Sequence, residues 1–478
     1  MEKKIYILLT GLLIFGLSAH ASNVDTLSVG GFGKVNIYIP GNVPGAIVLL
    51  VSGTEGWNKE MAGIAQNIKA QGALVAGVNL KYYLKQLNTS KAKCMYPAGD
   101  FESLSMDIQK KYKFKQYLPP ILVGCSSGAT FIYGVLAQSP PETFKGAISF
   151  GFSPEITTGN PLCEGNGLKS VPTKNKGNYY LQPCSTLKDP FVVLQGALDK
   201  VRTNAAIQQY MTGLTNGELI LLPGVGTNFT DSKGWLPRFC LAYNKILNKS
   251  VSLDKQTIQK IETPDAKPLS VNNDLPLTII PPKSNKKMPL LFFISGDGGW
   301  KKFEQRVGEI VSEKGMPVIG LDALKYFWNE RQPKEAADEI SAVISYYMKQ
   351  WDRSSFILVG YSFGAGVVPF IANNFPDQLK GKIKGVYCFS PDKTSDFEIH
   401  ISDMLSMNTK EKYNVLNELK IIIPFNPVCI FGSKEDAKLK KQFFIKGIRI
   451  ESLPGEHHYN NDYNAIAGIM LKDFLNGY

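Results

Sequence analysis

Histidine is scarce in this sequence: only four of the 478 residues are histidine, and none lies between residues 22 and 399. Histidine is the side chain that most often acts as a general base near neutral pH, and it is a common metal ligand. Residues 22–399 therefore hold no histidine-dependent active site of their own. Apart from His20, the histidines are His400, His457 and His458, all close to the C-terminus.

Cysteine is also sparse, with seven residues and no C-x-x-C pair. We therefore predict no zinc-binding cysteine cluster and no cofactor. Cys125, Cys388 and Cys429 lie in apolar runs and are expected to be buried. The other four lie in polar segments, and four cysteines allow three pairings. The preferred pairing joins Cys163 to Cys184 and Cys94 to Cys240.

Long apolar runs are missing except near the N-terminus. Residues 1–21 combine Lys3 and Lys4, the apolar run Ile5–Leu17 and an Ala19-His20-Ala21 cleavage pattern. This run is shorter than the roughly 20 residues that span a bilayer. The pattern predicts a cleavable export signal and a soluble mature protein, most simply in the periplasm.

Acidic residues are fewer than basic ones: the sequence has 41 Asp and Glu and 53 Lys and Arg, which gives a formal charge of +12. The lysines follow no motif that reads nucleic-acid bases, so no nucleic-acid partner is expected. The positive charge favours either solubility alone or peripheral contact with an anionic membrane surface.

The sequence contains an internal duplication. G-x-S-x-G occurs twice, at Gly124–Gly128 and Gly360–Gly364, each time between an apolar run and a helix-compatible stretch. Four further segments match in the same order: Val51–Trp57 with Ile294–Trp300, Phe144–Ile148 with Ile383–Tyr387, Phe191–Gly196 with Pro427–Gly432, and Leu222–Gly224 with Leu453–Gly455. Strand–turn–helix context around G-x-S-x-G is typical of the nucleophile elbow of α/β-hydrolases.

We predict an α/β fold of two tandem α/β-hydrolase-like domains, each a mostly parallel sheet flanked by helices. The first spans residues 22–248, the polar stretch 249–275 is a linker, and the second domain spans residues 276–478.

A serine nucleophile needs a histidine base and a carboxylate that orients it, in the chain order Ser, acid, His. The second domain offers Ser362, then Glu435 or Asp436, then His458 or His457. The duplicated acid Asp199 favours Glu435, and the P-G-x-G-H pattern common in this fold favours His458. The first domain has Ser126 and Asp199 but Thr227 in the histidine position. We expect it to be catalytically inactive.

The oxyanion of the reaction needs two backbone N–H donors. One is expected from Phe363, the residue after the nucleophile, and the other from Asp297 or Gly298 in the Gly-rich loop Ser295–Trp300.

The second domain resembles the VirJ/AcvB family of bacterial virulence-associated periplasmic proteins. The segments that carry the resemblance are Ser295–Trp300, Leu321–Trp328, Gly360–Phe370, Asp396–Leu405 and Leu453–Tyr463. Its two-domain length and export signal are similar to those of the longer, AcvB-like members.

The resemblance implies a serine hydrolase that cleaves the aminoacyl ester of lysyl-phosphatidylglycerol. For such a cationic substrate, Asp396, Glu398 and Asp403 are candidate binding residues, and Trp328 is a candidate lining residue. His400 is expected to be structural. Two alternatives stay open: a serine esterase or peptidase with another substrate, and a non-enzymatic periplasmic binding protein linked to virulence or secretion.

Overall fold

The structure is a computed structural model that describes residues 24–89, 92–258, 275–400 and 412–474. The predicted export signal, Asp403 and most of the predicted linker lie outside the described residues. In the described ranges, no helix is both long enough and apolar enough to cross a membrane.

The first large sheet has eight strands in the order β1-β2-β4-β3-β5-β6-β10-β11. All neighbours from β4 to β11 pair in parallel, whereas β1 and β2 form an antiparallel edge. A small antiparallel sheet, β7-β9-β8, is inserted between β6 and β10. The strands are β1 Val24–Val29, β2 Gly33–Tyr38, β3 Ala46–Val51, β4 Ala73–Val78, β5 Ile121–Cys125, β6 Gly146–Phe150, β7 Glu155–Thr157, β8 Ser170–Pro172, β9 Asn178–Leu181, β10 Phe191–Gly196 and β11 Gly217–Leu222.

The second large sheet has seven strands in the order β12-β14-β13-β15-β16-β19-β20, and a two-stranded pair, β17-β18, lies apart from it. Only β12 is antiparallel to its neighbour in the large sheet. The strands are β12 Leu277–Ile280, β13 Leu290–Ile294, β14 Val318–Leu321, β15 Phe356–Tyr361, β16 Ile383–Phe389, β17 Thr394–Ser395, β18 Tyr413–Asn414, β19 Pro427–Gly432 and β20 Arg449–Leu453.

Helices connect the parallel strands in both parts. They are α1 Lys59–Lys69, α2 Leu80–Leu87, α3 Pro97–Lys111, α4 Ser127–Gln138, α5 Asn204–Met211 and α6 Ser232–Ile258, then α7 Lys302–Glu313, α8 Ala323–Tyr326, α9 Pro333–Gln350, α10 Phe363–Asn374, α11 Asp377–Lys380, α12 Val415–Ile421, α13 Ala437–Gln442 and α14 Tyr463–Leu471. Helix α6 extends beyond residue 248, so the start of the predicted linker is helical. We call residues 24–258 the N-terminal unit and residues 275–474 the C-terminal unit.

The two units share one topology. Strands β4-β3-β5-β6-β10-β11 of the first sheet correspond in order to β14-β13-β15-β16-β19-β20 of the second. The central strands β3, β5, β13 and β15 are buried along their whole length, as expected where helices cover both faces of a parallel sheet. The structure thus confirms the predicted fold class, with two α/β-hydrolase-like sheets in tandem.

The predicted disulfide pairing is wrong. Cys94 is bonded to Cys163, while Cys184 and Cys240 are free thiols. The backbone explains the pairing, because Met95 N–H donates to Pro161 O and Cys163 N–H donates to Met95 O. These bonds align the two segments side by side and bring their cysteines together.

Replacing both Cys94 and Cys163 with serine should lower the free energy of unfolding of the N-terminal unit by about 4 kcal/mol. The reason is that the bond joins residues 69 positions apart and restricts the unfolded chain. Urea unfolding, followed by tryptophan fluorescence, measures the loss. Cys240→Ser removes only a free thiol and should change the free energy of unfolding by less than about 0.5 kcal/mol. Equal midpoints for the double variant and the unchanged protein would contradict this pairing.

Candidate active site

Ser362 lies in a strained turn between β15 and α10. Its backbone has φ 52° and ψ −113°, a region that residues with a Cβ rarely occupy. A Cβ at Gly360 would lie 2.2 Å from Gly364 O, and one at Gly364 would lie 2.2 Å from Ile294 O. Both glycines are therefore required by close backbone packing. The turn has the geometry of a nucleophile elbow, which presents a serine hydroxyl at the carboxyl end of the sheet.

Glu435 and His457 form a hydrogen-bonded pair at the same edge of the sheet. Glu435 follows β19 and His457 follows β20, and His457 Nδ1 lies 2.9 Å from Glu435 Oε1. The second carboxylate oxygen, Oε2, accepts the N–H of Gly432 at 2.7 Å. A carboxylate on Nδ1 leaves Nε2 of the imidazole as the nitrogen that can take a proton from a serine.

This pairing selects between the candidates left open by the sequence. Asp436 caps helix α13 through Lys438 N–H and is exposed, so Glu435 is the acid that faces a histidine. The sequence favours His458, whereas the geometry favours His457, because the carboxylate contacts His457. Burial favours a raised pKa for Glu435, but hydrogen bonds from His457, Ser390 and Gly432 outweigh it and lower the pKa. Glu435 therefore stays ionised beside the imidazole.

His458 has a different partner, the residue just before the nucleophile. Its Nδ1 lies 2.6 Å from Tyr361 Oη, and burial lowers its pKa, with the neighbouring His457 adding to the effect. The Tyr361 ring also lies 5.3 Å from the His457 ring, centre to centre. Among the described residues no hydrogen bond joins Ser362 Oγ to a histidine. Tyr361, which the sequence did not single out, connects the elbow to both imidazoles.

The Gly-rich loop after β13 lies against the elbow. A Cβ at Gly296 would approach Ser362 Cβ to 3.6 Å. Gly298 N–H is bonded to the carboxylate of Asp297 at 3.0 Å. Within the described part of the chain, the N–H groups of Asp297 and Phe363 have no hydrogen-bond partner. These two N–H groups are candidate donors next to the nucleophile, whereas Gly298 N–H is already bonded.

Glu304 binds the backbone of the Gly-rich loop Ser295–Trp300 through its side chain. It is buried, and its carboxylate accepts the N–H groups of Gly296 at 3.3 Å and Lys301 at 3.1 Å. Burial raises its pKa to about 7, although the backbone donors act in the opposite direction. The folded C-terminal unit therefore retains a proton on Glu304 at a pH where the unfolded chain has lost it.

We expect the contribution of Glu304 to the stability of the C-terminal unit to be lost as the pH rises from about 4.5 to about 7, because at this group the folded state then binds more protons than the unfolded state. Glu304→Gln should remove this component, which is on the order of 3 kcal/mol. Urea midpoints at several pH values for both proteins measure it. Glu309→Gln, on the same helix but less buried, is the matched control. An unaltered pH dependence in Glu304→Gln would contradict the prediction.

The predicted substrate-binding residues lie elsewhere or already have partners. Asp396 is buried, and its Oδ2 lies 2.7 Å from His400 Nε2. Glu398 pairs with Lys110 of the N-terminal unit, Oε1 to Nζ, at 3.0 Å. Trp328 is buried and donates from Nε1 to Phe114 O at 2.9 Å. Glu398 and Trp328 thus contact the N-terminal unit.

The N-terminal unit keeps the elbow but fills the histidine position differently. Ser126 has φ 54° and ψ −120°, almost the same as Ser362. Arg202 lies between the serine and the acid: Nη2 is 3.5 Å from Ser126 Oγ, and Nη1 is 3.5 Å from Asp199 Oδ2. Nη1 also donates to Gly151 O at 2.8 Å. A guanidinium does not lose its proton in proteins, so it cannot act as the base.

The strand order and the elbow, acid and histidine in chain order place the C-terminal unit in the α/β-hydrolase class. No group of metal-binding side chains occurs among the described residues.

Residues 289–476 match the model of the family described as bacterial virulence protein (VirJ). For this part of the chain, the resemblance predicted from the sequence is confirmed. Comparison with curated protein sequences found no match.

Several solved α/β-hydrolase structures are similar to about half of the chain. A putative dienelactone hydrolase from Klebsiella pneumoniae subsp. pneumoniae MGH 78578 is 15% identical, with a TM-score of 0.34, over 45% of this chain and 96% of its own. Est1E from Butyrivibrio proteoclasticus is 11% identical, with a TM-score of 0.30, over 46% and 98%. The esterase domain of a Rhodothermus marinus protein is 13% identical, with a TM-score of 0.30, over 44% and 91%.

Proposed function

We propose that this protein is an exported, periplasmic serine hydrolase that cleaves the aminoacyl ester of lysyl-phosphatidylglycerol. Ser362 is the nucleophile, His457 the base and Glu435 the acid. The observation that carries the proposal is the 2.9 Å Glu435–His457 bond beside a strained serine elbow. A carboxylate that orients a histidine near an elbow serine is part of the arrangement that serine hydrolases use on several unrelated folds.

The reaction follows from these positions. Ser362 Oγ attacks the ester carbonyl while its proton passes to His457 Nε2, and the N–H groups of Phe363 and Asp297 stabilise the oxyanion. The C–O bond to the glycerol headgroup breaks, and the departing oxygen takes the proton from His457. Water, activated by the same imidazole, then hydrolyses the acyl-enzyme. The products are the free amino acid and phosphatidylglycerol.

Asp297 supplies a reason for choosing a cationic aminoacyl group. Its side chain is exposed on the loop that borders the elbow, and its charge acts on both His458 and Tyr361. An anionic group here would attract the ammonium groups of a lysyl ester. Asp396 and Glu398 are already paired, so Asp297 takes the role that the sequence gave to them.

Hydrolysis of three substrates tests the proposal: lysyl-phosphatidylglycerol, alanyl-phosphatidylglycerol and a neutral soluble ester. We expect the lysyl lipid to have the highest kcat/KM. Asp297→Asn keeps the backbone N–H but loses the charge, and it should lower kcat/KM about fivefold for the lysyl lipid and less for the neutral ester. Asp392→Asn, an exposed carboxylate on another loop, is the control. Turnover of the soluble ester without turnover of either lipid would reject the substrate.

A further inference from the structure

The loop of residues 197–202, which follows β10, exposes two large aliphatic side chains. Leu198 is 62% exposed and Val201 is 78% exposed. Lys200 lies between them in sequence and is also exposed. Single exposed apolar residues are common on protein surfaces. Two on one loop, on either side of a lysine, combine apolar groups that can enter the headgroup boundary of a membrane with a cation that stays at its surface.

Hydrogen bonds from three backbone N–H groups hold this loop in place. Asp199 Oδ1 accepts the N–H groups of Val201 at 2.9 Å and Arg202 at 3.0 Å. Leu198 N–H donates to Val225 O at 2.9 Å. Leu198 and Val201 therefore cannot turn inward unless these bonds break. Their exposure belongs to the ordered loop.

Arg202 fixes the same loop to the inactive elbow. Its guanidinium contacts Gly151 O and Ser126 Oγ, and a Cβ at Gly151 would lie 2.1 Å from Nη1. The C-terminal unit has Ser390 at the corresponding position, after β16. A side chain at residue 151 would displace the guanidinium from its present position.

The catalytic counterpart of the loop shows that these features are specific to the N-terminal unit. Counted from Gly432, the positions equivalent to Leu198, Lys200 and Val201 hold Lys434, Asp436 and Ala437. The active unit therefore presents a short polar loop where the inactive unit presents two aliphatic residues and a cation.

We propose that the 197–202 loop docks the N-terminal unit on an anionic phospholipid surface. Leu198 and Val201 enter the headgroup boundary, and Lys200 faces the lipid phosphates. The positive charge of the chain, +12, complements such a surface. This inference extends the proposed function, because docking would keep the hydrolase at the membrane that contains its substrate.

Co-sedimentation of the full chain with vesicles tests the docking without any need for turnover. The unchanged protein should bind phosphatidylglycerol vesicles and bind phosphatidylcholine vesicles much less. The pair Leu198→Ser and Val201→Ser should weaken binding about tenfold. The matched pair Val43→Ser and Leu241→Ser removes equally exposed aliphatic groups (80% and 61%) elsewhere on the same unit, and should change binding less than about twofold. Lys200→Gln should weaken binding to the anionic vesicles about fivefold.

Equal losses for the two serine pairs, or no binding of the unchanged protein to phosphatidylglycerol vesicles, would overturn the docking proposal. Hydrolysis of a soluble ester, measured on the same proteins, should be unchanged by Leu198→Ser and Val201→Ser. If no protein hydrolyses any ester, the proposed function fails, while the vesicle result still decides the docking.

Discussion

Ser362→Ala should abolish ester hydrolysis, lowering kcat about ten-thousand-fold or more. The variant removes the atom that forms the acyl-enzyme, while the turn itself stays, because alanine differs from serine only by the hydroxyl. Steady-state kinetics on the lysyl lipid and on a soluble ester measure the loss, and unchanged urea midpoints show that folding is intact.

Ser126→Ala is the matched control for this experiment, because it makes the same change in an elbow with nearly the same φ angle. Its kcat should stay within about twofold of the unchanged protein, because Arg202 leaves Ser126 without a base. A comparable loss in both variants would mean that the N-terminal unit also performs chemistry.

The second large effect separates the two adjacent histidines. His457→Ala should lower kcat about a thousand-fold or more, because the imidazole bonded to Glu435 is the base. Glu435→Gln should also lower kcat by a large factor, since the base then loses its orienting charge. His458→Ala should cost about tenfold or less, since His458 contacts Tyr361 rather than the acid.

The assignment of the base is tested by comparing the losses of kcat in His457→Ala and His458→Ala. Tyr361→Phe removes the hydroxyl that binds His458 and should resemble His458→Ala. A larger loss in His458→Ala than in His457→Ala would contradict the assignment of the base and restore the choice made from the sequence pattern.

Much of the fold could be predicted because it repeats. Two copies of each apolar strand, elbow and P-G turn identify the same architecture twice, and β10 and β19 have the very bounds of the matched segments Phe191–Gly196 and Pro427–Gly432. The choice of histidine could not be predicted. It depends on the turn after β20, where Gly455 has φ 104° and Glu456 O packs against Gly432. That geometry turns His457 toward the acid, one residue earlier than the pattern suggests.

The long-range contacts were also beyond the sequence. The Cys94–Cys163 bond depends on a backbone pairing between distant loops. The roles of Glu398 and Trp328 depend on how Lys110 and Phe114 of the other unit approach them. The position of the Arg202 side chain could hardly be predicted. The one hint in the sequence is Gly151, which stands where the C-terminal unit has Ser390. Thr227 in the histidine position indicated that the N-terminal unit lacks a histidine base. It did not indicate that Arg202 lies beside Ser126.

The central claim is that Ser362 is a nucleophile and Ser126 is not. Labelling with a fluorophosphonate, followed by mass spectrometry of the modified peptide, tests this claim most directly. Such a reagent reacts with a serine that a neighbouring base activates, and it leaves unactivated hydroxyls alone. We predict one phosphonylated residue, Ser362, and no labelling of Ser126. Modification of Ser126, or no modification of Ser362 in the folded protein, would contradict the assignment of catalysis to the C-terminal unit.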